Sequence, residues 1–172
     1  MTAEPLQPLL AAPEPRPLML RSVREHDLPE LWRLEEEIFS DAAYPAFLFR
    51  QLIDLHAEHF LVLDDGTGSL HGYVLAGTTA LSRDAWILGL CVAPDHRRQG
   101  LARRLMAELL TRLRLTRTER VRLTVEPANH PAIELYRSLG FRPEEPDAGR
   151  CRDYFGPGQD RLVMLLELHP GH

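Results

Sequence analysis

The segment from Trp86 to Glu126 constrains the fold more than any other part of the chain. An apolar run, WILGLCVAP, stops at Pro94 and is followed at once by DHRRQG. Leu101, Leu105, Leu109 and Leu113 then recur on one side of a helical pattern over about 101 to 115, with arginines on the other side, and RVRLTVE at 120–126 is again strand-like. A strand, a one-sided helix and a second strand make a crossover, and the helix can bury its leucines only against a sheet face.

The rest of the pattern extends that sheet. LMLRSV begins a first strand at Leu18, and Asp27-Leu28-Pro29-Glu30 carries an Asp cap, an early proline and an acid at the third helical position, the marks of a helix start. Leu28, Leu31, Leu34 and Ile38 give this helix a buried side. A second helix is expected near Pro45, with Phe47, Leu48, Leu52 and Leu55 inward. HFLVLD at 59–64, the turn Asp65-Gly66-Thr67-Gly68 and LHGYVLAGTTAL at 70–81 read as an antiparallel hairpin, and Ser82-Arg83-Asp84 turns the chain into the apolar run. A helix from about Asn129 to Leu139 ends at Gly140, and two strands near 150–155 and 160–168 close the chain around Gly156-Pro157-Gly158-Gln159-Asp160. Hairpins followed by a crossover indicate an α+β sheet with helices on its faces.

Composition narrows the class. A chain of 172 residues suits one domain with its own core, here 18–170. Residues 1–17 hold five prolines and read as a flexible tail. A net charge of −5 argues against a nucleic-acid binder that works by neutralising phosphates, although the arginine-rich helix keeps that alternative in view. Neither a membrane-spanning run nor a secretory signal is visible, so a cytoplasmic location is expected, with no membrane partner. Cys91 lies inside an apolar run and two cysteines are no disulfide framework, so Cys91 and Cys151 are read as reduced thiols.

The chemistry is expected where the crossover begins. Gly100 and Ala102 are small residues at a helix start, where backbone amides lack internal partners and the helix dipole adds positive potential; a diphosphate suits such a place. Arg97, Arg98 and Arg103 add attraction for it. A helix that merely begins at a glycine would look the same, so a second signature is needed. VEPANHPAIELYRSLGF supplies it at 125–141. Arg97-x-x-Gly100-x-Ala102 together with Asn129-x-x-Ala132-x-x-Leu135-Tyr136-x-x-x-Gly140-Phe141 resembles the GNAT superfamily of N-acetyltransferases, over about Leu18 to Leu168. The ending DYFGPGQDRLVMLLEL resembles the branch that acetylates protein N-termini, including ribosomal-protein alanine acetyltransferases.

The resemblance implies a mostly antiparallel sheet of about seven strands with about four helices. It implies acetyl-CoA as cosubstrate, and an acetyl group moved directly to a primary amine in a ternary complex without a metal. Residues Arg98, Gln99, Gly100, Leu101, Ala102 and Arg103 would cradle the pyrophosphate, with Arg97 beside them. The backbone of Leu90, Cys91 and Val92 would pair with the pantetheine amides as an added strand does. Asn129 would help hold the cofactor arm, and Tyr136 would lie near the sulfur as general acid. An amide near Val92 would meet the oxyanion. The position where such enzymes commonly carry a Glu or His base holds Thr124, and Glu126, two residues on and on the same strand face, is the candidate in its place. His96 and His130 are secondary candidates near the cleft. Glu36 and Tyr44, in the region of the first two helices, are the candidate acceptor contacts. A peptide N-terminus or lysine is the favoured acceptor, beside a polyamine or aminoglycoside-type amine and a non-catalytic acyl-CoA-binding module. A homodimer is compatible with all of these.

Overall fold

The computed structural model describes residues 17–79, 82–145 and 147–168. The expected proline-rich tail lies outside them, apart from Pro17. The elements run β1 (Met19–Ser22), α1 (Leu28–Phe39), α2 (Ala46–His56), β2 (Phe60–Asp64), β3 (Leu70–Thr78), β4 (Asp84–Val92), α3 (Leu101–Leu115), β5 (Arg120–Val125), α4 (His130–Ser138), β6 (Arg142–Pro143), β7 (Arg150–Cys151) and β8 (Arg161–Glu167). One eight-stranded sheet has the order β1-β2-β3-β4-β5-β8-β6, with β7 on β8. Only the β4–β5 pair among these is parallel, as the crossover requires.

Alternation along the central strands makes two cores. Leu61 and Leu63 of β2, with Val74 and Ala76 of β3, face the α3 side, where Leu105, Met106, Leu109, Leu110 and Leu113 bury themselves. Phe60, Val62, Tyr73 and Leu75 face Leu31 and Leu34 of α1 and Phe49 and Ile53 of α2. Each such leucine removed from water contributes about 1.5–3 kcal/mol.

Four details depart from the sequence expectation. On α2, Phe49 and Ile53 are buried, whereas Phe47 and Leu55 are 67% and 73% exposed. That helix is apolar on several sides, and the aromatic stack of Phe49 with Phe60 and Tyr73 decides which side turns in. Asp27 does not cap α1 with its side chain. Its carboxylate takes the Arg24 amide at 2.7 Å and a two-pronged contact from Arg21 at 2.7 and 2.8 Å, while Arg21 also reaches Asp64 at 2.8 Å. The sheet gains an eighth strand in the pair Arg142–Pro143, too short to leave a sequence pattern. The strand expected over 150–155 stops at Cys151. Beyond it Asp153 has φ 50°, and its carbonyl and carboxylate take the amides of Gly156 and Gly158, so the backbone turns instead of pairing.

Candidate active site

The crossover strands separate at one end. β4 and β5 pair from Asp84↔Arg120 to Ile87↔Leu123 and no further. β5 continues through Thr124 and Val125 on its β8 side, and β4 continues to Val92 on its β3 side. Residues 88–92 thus present a free backbone edge toward β5. The separation coincides with a bulge: Leu75 pairs Gly89 and Ala76 pairs Ile87, which leaves Leu88 as the extra residue on β4.

A cleft of about 1000 Å³ opens between the two strands. Residues 88–92 form one wall, and Leu123, Thr124, Val125 and Glu126 form the other. Arg97 and Ala102 lie at the end where α3 begins, while Glu35, Asp41 and Tyr44 lie at the end under α1 and its connection to α2. Asn129, Leu135 and Tyr136 complete the α4 side.

The α3 end is built to meet an anion. Arg98 has φ 61° and Gly100 has φ 74°, so the chain coils before the helix begins. Among the described residues, no amide from residues 98–103 has a backbone acceptor; the first bond of the helix is Arg104 N–H to the Gly100 carbonyl at 3.0 Å. Nothing lies within 4 Å of where a Gly100 Cβ would stand, so the turn faces open space. Unpartnered amides, a helix start and the adjacent arginines make one positive concavity, which fits a diphosphate. Arg98, Gln99, Gly100, Leu101 and Arg103, expected at the same site, are not among the residues that line the cleft, and Arg103 reaches Ser138 Oγ at 2.6 Å. The free edge of residues 88–92 fits the amides of a pantetheine arm by the same strand-pairing logic.

Tyr136 faces the cleft from α4 and is 8% exposed. Burial pushes its phenol up to about 12, so it carries its proton across the whole neutral and mildly alkaline range. Asn129 caps α4, taking the Ala132 amide at 3.2 Å, and also borders the cleft. Glu126 stands just beyond β5 at the rim, its side chain 64% exposed and 3.6 Å from Arg161, whose guanidinium lies 5.0 Å from the Phe155 ring centre. His96 and His130 are not among the cleft residues; His96 instead stacks on His71 with ring centres 4.2 Å apart. Burial pushes the Cys91 thiol far up, which keeps it from acting as a thiolate, and Cys151 is likewise unbridged.

At the end of the cleft under α1 the structure places a different acid from the one expected. Glu36 is exposed and does not border the cleft, whereas Glu35 is 2% exposed and does. Glu35 continues the stripe Leu31, Leu34, Ile38 at helical spacing, a signal present in the sequence. Its carboxylate accepts the Tyr73 hydroxyl at 2.7 Å and the Tyr44 amide at 3.1 Å. Burial raises it above the usual carboxylate range, and those two bonds only partly oppose the rise. Tyr73 reaches Glu35 because its ring passes over Gly89, where a Cβ would come within 2.8 Å of the ring. Tyr44, the other expected contact, borders the cleft and donates its hydroxyl to the Leu88 carbonyl at 3.0 Å.

Comparison with known proteins accords with this geometry. The acetyltransferase (GNAT) family matches residues 26–141. The ribosomal protein bS18-alanine N-acetyltransferase of Salmonella typhimurium is 28% identical over 145 residues, covering 83% of this chain and 92% of that protein. The crystal structure of the ribosomal-protein-S18-alanine N-acetyltransferase from Escherichia coli superposes with a TM-score of 0.75 at 23% identity, over 90% of this chain and 96% of that one. Ard1 from Thermoplasma volcanium superposes with a TM-score of 0.78 at 24% identity, over 88% and 98%. With the family model covering the parted strands, α4 and the turn before α3, the chain belongs to the acetyltransferase (GNAT) family.

Proposed function

We propose that this chain binds acetyl-CoA along the parted edge of β4 and transfers the acetyl group to the amine of a peptide, its N-terminus foremost. The observation that carries the reading is that residues 88–92 of β4, which β5 leaves unpaired, and the buried phenol of Tyr136 line one cleft, and that Ala102 at its α3 end belongs to the turn whose amides at residues 98–103 have no backbone acceptor. Bound there, acetyl-CoA supplies an activated thioester carbonyl. The amides of residues 98–103, with Arg97, Arg98 and Arg103, hold its diphosphate, and Leu90, Cys91 and Val92 orient its arm by strand-like pairing. Asn129 borders that arm. Tyr136 keeps a proton at its hydroxyl for the departing sulfur. Glu126, two residues beyond the base position that Thr124 occupies, takes a proton from the amine through water. A peptide acceptor enters over Tyr44, Asp41 and Glu35; the names of the Salmonella relative and its kind support a protein N-terminus over a polyamine.

Calorimetry with acetyl-CoA and with free CoA, followed by thiol release against short peptides, polyamines and aminoglycosides, tests the reading. Micromolar cofactor binding with turnover on peptides is expected. Turnover confined to polyamines or aminoglycosides would replace the acceptor, and cofactor binding without thiol release from any amine would make the chain a non-catalytic acyl-CoA-binding module.

A further inference from the structure

A carboxylate with its residue 2% exposed has to recover its lost hydration through its bonds. Glu35 recovers it from two neutral donors, the Tyr44 amide and the Tyr73 hydroxyl, and among the described residues no cationic side chain pairs with it. Tyr44 is thereby held twice. Its backbone is tied to α1 through Glu35, and its ring tip is tied to the Leu88 carbonyl. Leu88 is the bulge residue and the first residue of β4 past its last rung with β5. Between α1 and Tyr44 the chain passes Ser40, a non-glycine at φ 47°, a conformation that persists only where surrounding contacts impose it.

We propose that Glu35 is a positioning residue for the acceptor: by tethering the α1–α2 connection through the Tyr44 amide, it holds the Tyr44 ring against the mouth of the parted strands and sets how tightly the incoming amine seats. The inference rests on the reading of this cleft as the acceptor's route. Its substance is a tether made by geometry. The negative charge of the carboxylate is not what is required.

The experiment uses the full chain at saturating acetyl-CoA with a peptide acceptor, alongside hydrogen exchange at the Tyr44 amide. E35A should raise the acceptor KM about tenfold while kcat and acetyl-CoA affinity stay within about twofold, the size expected for one buried tether. E35Q should restore KM to within about twofold of the parent, because a glutamine oxygen can take the Tyr44 amide while its NH2 meets the Tyr73 hydroxyl. Y44F should raise the acceptor KM several-fold, and the E35A/Y44F pair should cost less than the product of the single effects. The Tyr44 amide should exchange fast in E35A and slowly in E35Q. An E35Q variant as impaired as E35A would overturn the tether in favour of charge. So would a Tyr44 amide that stays protected in E35A, or a loss confined to kcat. If E35A does not fold, an unchanged KM in Y44F overturns the proposal. Should the parent transfer to no amine, the proposed function falls, and the exchange measurement alone decides the tether.

Discussion

Ile87 and Leu123 form the last rung joining β4 to β5, and beyond them the two parallel strands part. The bulge at Leu88 falls on the next residue, so β4 bends away while it keeps its bonds to β3. That coincidence turns an ordinary crossover into a cleft along which residues 88–92 of β4 have no backbone partner on β5.

Removing the Tyr136 hydroxyl tests the proton donor. Y136F should lower kcat by about 10²-fold or more while acetyl-CoA affinity stays within about twofold. Because burial holds the phenol up to about 12, the group stays protonated well past neutrality, and the ratio of parent to variant kcat should be the same at pH 7 and pH 10. A fully active Y136F removes Tyr136 from this role. Stability carries a matching sign: the raised phenol favours the folded state below its unfolded value, about 10, and that contribution is lost as pH rises from there toward 12.

Gly100 lets the chain coil in the turn before α3. At φ 74° a β-branched side chain costs about 1–2 kcal/mol in backbone strain, although open space surrounds the site. Gly100→Val should weaken acetyl-CoA binding at least about tenfold by redirecting the amides of residues 98–103, and leave kcat at saturating cofactor within about threefold. Calorimetry measures the first and thiol release the second. Unaltered cofactor affinity would show that those amides do not hold the diphosphate.

Glu126 is exposed at the rim, so its removal should leave the melting temperature unmoved. E126Q should reduce kcat/KM by about 10- to 100-fold. An unchanged kcat/KM would exclude Glu126 as the base.

Arg21 serves the scaffold. It joins β1 to Asp27 at the start of α1 and to Asp64 at the end of β2. Burial alone would raise both carboxyls, but the Arg21 guanidinium, with the Arg24 amide at Asp27 and the Gly66 amide at Asp64, outweighs it and holds them below their ordinary value. Depressed carboxyls contribute stability above their unfolded value, about 3.9, and lose it as pH falls through the folded one. R21M should therefore destabilise the protein by about 3 kcal/mol at pH 7, because it strands a carboxylate 4% exposed, and it should flatten the acid limb of the stability curve. Urea unfolding at pH 7 and pH 3 measures both; a loss as large at pH 3 as at pH 7 would show that the ion pairs are not its source.

The pattern of apolar residues by itself determined the order of the longer elements, a sheet with helices on its faces, and the segment where a helix begins against a strand end. These follow from periods of two and 3.6 and from local signals at Pro94, Gly100 and Gly140, which act over a few residues and need no distant partner. Asn129 and Tyr136 are reached only through the resemblance to the GNAT superfamily, because helical periodicity by itself reads Tyr136 as a core residue. Tertiary structure alone decided where β4 leaves β5, since a bulge is a mismatch between two strands and neither strand carries a local mark of it. The stripe of Leu31, Leu34 and Ile38 already marks Glu35 as the inward acid, but tertiary structure alone supplied its partner, because Gly89 makes room for the Tyr73 ring that meets the buried carboxylate. The same reasoning covers α2, where several apolar sides competed and the aromatic stack around Phe49 selected one.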